Sequence, residues 1–255
     1  MCYDVIKWHI YSGDSQPLLN KFLYICTNYN FKFRAGTWNI DSLTGRSGEL
    51  VEALAERQMD VACVQEVRWR DSVCRVFGAI GKRYKLFWMG SKAKTDGVGI
   101  FVAEKWVYSV VSVQRHSERA LVLKMVLGGC LLNVFTLYAP HSGKPDEEKE
   151  RFWKEVFHLV SCIPQNEMVV FAGDMNGHIG SRNVGYDGTH GGFGYGSRNA
   201  DGSRILEFAD GLNRLHWYGH VLRKADDDWV KKCMEYEAEG PRPRGRPKRT
   251  WREVV

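Results

Sequence analysis

Five apolar residues, Met168–Ala172, are followed by a glycine and then by Asp174 and Asn176 in a glycine-rich turn. An apolar run that stops at glycine is typical of a central strand in a covered sheet. In α/β folds, polar working groups lie beyond the carboxyl ends of such strands. A carboxylate and an amide two residues apart suit a site that handles a proton or a hard cation. We expect both residues to be functional if other strands end at the same edge.

Three other apolar strands also end in a polar residue, and these residues are Asn39, Glu66 and Tyr138. The first two frame a strand at Phe33–Asn39, a helix at Glu49–Gln58 with Ser47 as its N-cap, and a strand at Val61–Glu66. The connection is long enough for a right-handed crossover, which predicts parallel strands that are neighbours or near-neighbours. Asn39 and Glu66 are then expected at one edge of the sheet.

The middle of the chain alternates short strands with tight turns, which predicts an antiparallel meander. Its predicted strands are Tyr84–Met89, Val98–Ala103, Val107–Gln114, Ala120–Leu127 and Leu131–Tyr138. One helix is predicted before the Met168–Ala172 strand, at about Asp146–Cys162, and one after it, at about Ser203–Asn213.

Positive charge is concentrated at one end of the chain. The sequence has 36 basic and 30 acidic side chains, a net charge of +6, and residues 241–255 contribute +5 of it. The body is therefore nearly neutral. Seven cysteines without a Cys-x-x-Cys pair predict reduced thiols in an intracellular protein. No run of 18 apolar residues occurs, and the first 33 residues lack a signal-peptide pattern, so neither a membrane span nor secretion is expected.

The basic segment Pro241–Arg249 resembles an AT-hook, with a Gly-Arg-Pro core between basic residues. Such a segment can lie extended in a narrow minor groove, where arginine side chains follow the negative potential of DNA. The expected DNA-binding residues are Arg244, Arg246, Lys248 and Arg249. A solvated basic tail or a nuclear-import signal explains the same residues equally well, so both interpretations stay open.

Four motifs resemble those of the endonuclease/exonuclease/phosphatase superfamily. They are G-T-W-N at 36–39, V-Q-E-V-R-W at 64–69, L-Y-A-P-H-S-G at 137–143 and G-D-M-N-G-H at 173–178. They occur in the superfamily's order, and they are most similar to the apurinic-type endonuclease domain of non-LTR retrotransposons. A further stretch, G-x-G-x-R-N-x-x-G at 194–202, resembles the same subgroup. The resemblance covers about residues 34–212.

The resemblance implies a four-layer α/β sandwich, and the departure of this chain from the pattern after Leu212 predicts that the second sheet is incomplete. It also implies hydrolysis of phosphodiester bonds in DNA with Mg²⁺, or alternatively Mn²⁺, as cofactor. By motif, Glu66 is the principal metal ligand with Asn39 beside it, Asp174 deprotonates the attacking water, Asn176 orients that water, and Tyr138 hydrogen-bonds the phosphate. Asp41 is a further carboxylate beside the site. These residue types suit the chemistry, because Mg²⁺ prefers carboxylate oxygens and a polar cluster stabilises charge on phosphate.

The chain departs from the superfamily pattern after Leu212. The superfamily closes its active site with an Asp-His pair, and no Asp-His dipeptide occurs in the 255 residues. Residues 214–255 instead resemble the C-terminal tail of the reverse-transcriptase polyprotein of the same elements. We therefore expect three parts, namely a weakly structured leader at 1–33, a truncated nuclease domain at 34–213 and a basic tail at 214–255.

Two consequences are expected from this departure. Turnover should fall by orders of magnitude, because the histidine that contacts the scissile phosphate is missing. The strand at Met168–Ala172 should have an unpaired edge and an uncovered apolar face. Two other functions stay open, a non-catalytic DNA-binding remnant that acts through the tail and a phosphatase or phosphodiesterase of the same superfamily. DNA is the expected partner, no membrane or obligate protein partner is expected, and the expected location is the nucleus.

Overall fold

The computed structural model describes residues 22–26, 32–186, 189–190 and 194–222. This part of the chain contains ten strands and three α-helices. In chain order they are β1 (Phe22–Cys26), β2 (Lys32–Asn39), α1 (Ser47–Glu56), β3 (Val61–Gln65), β4 (Cys74–Phe77), β5 (Tyr84–Met89), β6 (Val98–Ala103), β7 (Val110–Ser117), β8 (Ala120–Leu127), β9 (Cys130–Tyr138), α2 (Asp146–Ser161), β10 (Met168–Asp174) and α3 (Ala200–Leu222). A 3₁₀ helix, Glu104–Ser109, connects β6 to β7.

The strands form two mixed sheets. The first sheet has six strands in the order β1-β2-β3-β6-β5-β4, and the second has four in the order β10-β9-β8-β7. Each sheet contains one parallel pair, β2 with β3 and β9 with β10. The register places Asn39 opposite Gln65 in the first pair and Asp174 opposite Tyr138 in the second. The parallel pairing of β2 and β3 confirms the predicted crossover.

An apolar core lies between the two sheets. It is formed by side chains of both sheets, among them Phe33, Ile100, Leu123 and Val134, each at most 1% exposed. Alternation of inward and outward side chains along each strand leaves the opposite faces for the helices.

The helices cover the outer faces of the two sheets. Leu50 and Leu54 of α1 pack on the outer face of the first sheet. Phe152 and Val156 of α2, together with Phe208 of α3, pack on the second sheet. The result is the predicted four-layer α/β sandwich, in which the described part of the second sheet has four strands against six in the first.

Both faces of β10 are covered, so the expected uncovered apolar face is wrong. Val170 packs into the core between the sheets, and Val169 packs with the helices on the outside. The rings of Phe171 and Phe208 lie 5.4 Å apart, which shows that α3 seals this strand. Along its edges, β10 pairs only with β9 among the described residues.

The predicted meander is divided between the two sheets. The strands β5 and β6 belong to the first sheet, whereas β7, β8 and β9 belong to the second. The 3₁₀ helix carries the chain from one sheet to the other, so the strand predicted from Val107 begins only at Val110. Prediction also missed β4, because this short strand is largely exposed and has no apolar run.

Three other local predictions require correction. The helix α1 begins at Ser47, so Arg46 occupies the N-cap position, and no side chain caps the helix. Five residues of the expected leader form β1, which pairs antiparallel with β2. The helix α3 begins at Ala200 and continues to Leu222, so the predicted boundary at 213/214 falls within it. None of the described helices combines the length and the apolar character needed to cross a membrane.

Candidate active site

Four of the five site residues predicted in the nuclease domain contact one another at one end of the sandwich. The side-chain amide of Asn39 donates to Glu66 Oε1 at 2.7 Å and to Asp174 Oδ2 at 3.1 Å. The Tyr138 hydroxyl donates to the same Glu66 oxygen at 2.9 Å. These residues come from the ends of strands in both sheets, so the packing of the sheets assembles the cluster.

Asn176, the fifth residue, is held beside Asp174 rather than in contact with Glu66. Its backbone N–H donates to Asp174 Oδ1 at 3.0 Å, and its side-chain amide donates to the Ala139 carbonyl at 2.6 Å. The Asp174 carbonyl in turn accepts the Ala139 N–H at 2.9 Å. The end of β9 and the turn after β10 therefore fix the position of Asn176 together.

Arg68 is a member of this cluster that the sequence predictions missed. Its guanidinium donates to Glu66 Oε2 at 2.6 Å and to Asp41 Oδ1 at 2.7 Å. The side chain is 39% exposed, whereas Glu66 is 16% exposed. The available signal was a basic residue two positions after the strand-end carboxylate. Arg68 links Asp41, which was predicted beside the site, to the central carboxylate.

The surroundings of Glu66 and Tyr138 set their protonation states. Burial opposes ionisation of Glu66, but hydrogen bonds from Asn39, Arg68 and Tyr138 outweigh it and lower the pKa of this carboxyl. Burial raises the pKa of the Tyr138 hydroxyl, and the hydrogen bond to Glu66 and nearby carboxylates raise it further. Near neutral pH, the cluster therefore presents an ionised carboxylate and a protonated phenol.

Several cluster residues adopt left-handed backbone conformations that are uncommon for residues other than glycine. The φ angles are +56° at Asp41, +58° at Glu66, +53° at Arg68 and +47° at Asn176. Such conformations cost about 1–3 kcal/mol each and occur mainly where function requires a special geometry. Their concentration around one group of carboxylates favours a functional interpretation of this edge.

A buried network of polar side chains lies next to Glu66. Gln65 is 1% exposed, accepts a hydrogen bond from the Thr37 hydroxyl at 3.1 Å and donates to the Thr136 hydroxyl at 3.2 Å. These contacts join β2, β3 and β9 directly beneath the cluster. Arg119 packs against Tyr138, because its guanidinium lies 5.2 Å from the centre of the Tyr138 ring.

The donor atoms of the cluster suit a hard cation that keeps part of its water shell. Glu66 and Asp174 supply carboxylate oxygens, and Mg²⁺ is commonly bound through one or two carboxylates together with water. No group of three or more His, Cys, Asp or Glu side chains in the described residues forms a complete metal cage. Asn39 directs its amide nitrogen towards both carboxylates, and its oxygen accepts the Asp41 N–H at 3.3 Å. Asn39 therefore acts here as a bridge between the carboxylates.

The four predicted DNA-binding residues of the tail, Arg244, Arg246, Lys248 and Arg249, lie outside the described residues. Their role stays a prediction from the sequence.

One known protein family matches the part of the chain that contains this cluster. The model of the Endonuclease/Exonuclease/phosphatase family matches residues 36–231, which include every residue of the cluster. The chain belongs to this family. Nucleases of the Endonuclease/Exonuclease/phosphatase family generally use divalent metals, and the carboxylate oxygens of Glu66 and Asp174 are of the kind that bind such ions.

The individual relatives have low sequence identity to this chain. The chain is 25% identical over 183 residues to craniofacial development protein 2 of Bos taurus, and 24% identical over the same length to that of Tragulus javanicus. Each match covers 71% of this chain and 30% of the relative, so the chain spans about a third of the length of these curated relatives.

Two solved structures are also similar in fold to this chain. An AP endonuclease from Archaeoglobus fulgidus has 22% sequence identity and a TM-score of 0.48, with 71% of this chain and 70% of that chain covered. The Xenopus laevis APE2 catalytic domain has 17% identity and a TM-score of 0.49, with 71% and 66% covered.

Proposed function

We propose that this chain hydrolyses phosphodiester bonds in DNA with Mg²⁺, or alternatively Mn²⁺, as endonucleases of non-LTR retrotransposons do. The observation that supports the proposal most is the sharing of the Asn39 amide between Glu66 and Asp174. An amide bridge between two carboxylates from different sheets keeps both oxygens in one place, where a cation and a phosphate can meet them.

In the proposed reaction, Asp174 accepts the proton of the attacking water and Asn176 orients that water. The water oxygen forms a bond to phosphorus as the bond from phosphorus to the leaving sugar oxygen breaks. Tyr138 donates its hydroxyl proton in a hydrogen bond to a phosphate oxygen, which it can do because its raised pKa keeps it protonated.

Glu66 is the residue proposed to hold the cation, with Asn39 beside it. When bound there, Mg²⁺ would supply charge that stabilises the negative oxygens of the phosphate. The lowered pKa of Glu66 keeps this carboxylate ionised and able to bind a cation near neutral pH. Arg68 helps to keep it ionised, because its guanidinium places a positive charge beside the carboxylate.

We further propose that turnover by this chain is slow. The resemblance leads us to expect an Asp-His pair whose histidine contacts the scissile phosphate. This sequence contains no Asp-His dipeptide. The leaving oxygen then takes its proton from water. The loss of one charge-stabilising donor costs about 10²–10³ in turnover. We also propose that residues 214–255 derive from the end of a retrotransposon polyprotein and act in the nucleus.

A second candidate function is DNA binding without catalysis through the basic tail. It is favoured by the concentration of +5 of the net charge in residues 241–255. Such binding would weaken steeply with salt, because each neutralised phosphate releases counterions. A third candidate, a phosphatase or phosphodiesterase that acts on another phosphate ester, uses the same cluster and differs only in substrate.

A plasmid-nicking assay with Mg²⁺ or with a chelator tests the proposal. The test variant is Asp174→Asn, which keeps the shape of the side chain and removes the proposed base. The matched control is Glu147→Gln, which changes an exposed carboxylate at the start of α2. We expect Mg²⁺-dependent nicking that falls about 10²–10⁴-fold in the test variant and is unchanged in the control.

Other outcomes select other functions. Nicking that is equal in wild type and Asp174→Asn, or that ignores the chelator, contradicts the proposal. Salt-sensitive binding to duplex DNA without nicking, lost on removal of residues 241–255, selects the DNA-binding alternative. Faster hydrolysis of an inositol phosphate or phospholipid than of DNA selects the phosphatase alternative.

A further inference from the structure

The turn that carries Asp174 and Asn176 continues into a segment in which none of the described residues belongs to a strand. The strand β10 ends at Asp174, and α3 begins only at Ala200. Asn176 has a φ angle of +47°, a conformation that must be maintained by its surroundings. His178, two residues later in the same segment, is hydrogen-bonded to Asn199, which lies 21 residues further along the chain.

Asn199 makes three hydrogen bonds that tie this segment to the first turn of α3. Its side-chain oxygen accepts the His178 N–H at 3.0 Å and the Gly202 N–H at 2.7 Å. Its own backbone N–H donates to the His178 carbonyl at 3.0 Å. The bond to Gly202 is that of a helix N-cap, and the bonds to His178 extend the cap to the turn after β10.

Close backbone packing shows that the two segments fit against each other without a gap. A Cβ atom on Gly202 would lie 1.9 Å from the His178 carbonyl oxygen. A Cβ atom on Gly177 would lie 2.5 Å from Ile205 Cδ1 and 2.9 Å from the backbone nitrogen of Gly202. Only glycine permits this approach at both positions. The close packing of the turn after β10 against the start of α3 is therefore independent evidence of a fixed contact.

The start of α3 is itself held firmly, so it can serve as a support. Lys149 of α2 forms an ion pair with Asp201 at 2.9 Å, and both side chains are largely buried. Ile205 and Leu206 of α3 are at most 2% exposed. A hydrogen bond from the turn to this helix therefore ties the turn to the body of the domain.

We propose that Asn199 is a positioning residue that fixes the Asp174–His178 segment for phosphodiester hydrolysis. The inference rests on the proposed function for its catalytic consequence. Asn199 acts through the backbone at His178 rather than by a direct hydrogen bond to the carboxylate cluster. Loss of its side chain lets the segment move relative to Glu66, and a displacement of about 1 Å at a catalytic group can cost about a hundredfold in rate.

Three variants of the full chain test the proposal. Asn199→Ala removes the acceptor, and Asn199→Asp keeps an acceptor oxygen and remains a good N-cap. The matched control is Ser203→Ala, which removes a 3.3 Å hydrogen bond from the Ser203 hydroxyl to the Asn199 carbonyl in the same turn and leaves His178 untouched. Asn199 lies at the surface, so the core is expected to stay folded in all three.

Two measurements are made on each variant. Hydrogen exchange reports on peptides covering residues 174–179, with peptides from β5 and β6 as the reference for global stability. Nicking kinetics with Mg²⁺ report kcat and KM separately. We expect Asn199→Ala to speed exchange at residues 174–179 alone and to lower kcat about tenfold to a hundredfold with little change in KM. We expect Asn199→Asp to restore both and Ser203→Ala to affect neither.

The possible results separate this proposal from the proposed function. If wild type nicks DNA and Asn199→Ala matches it in exchange and in kcat, the positioning role is wrong. It is also wrong if exchange rises equally in β5 and β6, or if Asn199→Asp fails to restore kcat. If wild type does not nick DNA, the proposed function fails. The exchange data then decide the structural role, with a local rise supporting it and no rise overturning it.

Discussion

Replacement of Tyr138 by phenylalanine isolates one hydrogen bond of the cluster. Tyr138 is 9% exposed, so phenylalanine keeps its packing, and the change removes only the hydroxyl that donates to Glu66 at 2.9 Å. Hydrogen bonds to charged groups contribute about 1.5–3 kcal/mol. Because Glu66 keeps its donors Asn39 and Arg68, we expect the lower value, a loss of about 1.5 kcal/mol in the free energy of unfolding.

The pH dependence of this loss has a definite sign. The pKa of Glu66 is lowered in the folded chain, so its charged interactions stabilise the fold above the ordinary carboxyl pKa of about 4.3. That stabilisation disappears as the pH falls through the lower folded pKa. The difference between wild type and Tyr138→Phe should therefore be largest near neutral pH and should shrink in acid, where Glu66 is protonated in both proteins.

Urea unfolding at neutral pH and in acid measures this difference, and Tyr84→Phe provides the control. The Tyr84 hydroxyl donates to the uncharged Met59 carbonyl at 2.7 Å and is also buried. Its removal should cost about 1 kcal/mol with little dependence on pH, because its hydrogen-bond acceptor is an uncharged carbonyl. If the effect of Tyr138→Phe is as independent of pH as that of Tyr84→Phe, the proposed charged hydrogen bond to Glu66 is refuted.

Three further substitutions test the frame around the site. Gln65→Leu leaves the Thr37 and Thr136 hydroxyls without their partner and should lower the free energy of unfolding by about 2–4 kcal/mol, measured by urea titration. Gly173→Ala places a Cβ atom 2.0 Å from a backbone oxygen of β9 and should cost at least about 3 kcal/mol or prevent folding, measured by circular dichroism. Gly48→Ala, at an open position in α1, should instead raise stability by about 0.5 kcal/mol, and equal losses at the two glycines would contradict this packing.

Strand positions were predictable where apolar runs are bounded by turns. The limits of β5, β6 and β8 agree with the sequence predictions, because each strand is mostly apolar and is bounded by polar residues or glycine. Consecutive strands do not reveal the sheet to which each belongs, so the transfer of the chain through the 3₁₀ helix was missed. The strand β4 lacks the apolar pattern on which such predictions depend.

The contacts within the site were predictable to the extent that strand ends determine them. Asn39 and Glu66 lie at the ends of two parallel strands, which brings them together, whereas Asp174 ends a strand of the other sheet and reaches Asn39 through the packing of the two sheets. Arg68 was missed because its contact requires left-handed backbone at Glu66 and at Arg68 itself. Asn199 was seen only as part of a motif, since its contact with His178 depends on the packing of α3 against a distant turn.

Cation binding by the intact chain tests the central claim most directly. Titration with Mn²⁺ followed by electron paramagnetic resonance detects weak sites and requires no substrate. We predict saturable binding of about one ion that is lost in Glu66→Gln and kept in the Glu147→Gln control. Absence of saturable binding, or binding that is equal in wild type and Glu66→Gln, would contradict the assignment of this cluster as a metal-dependent active site.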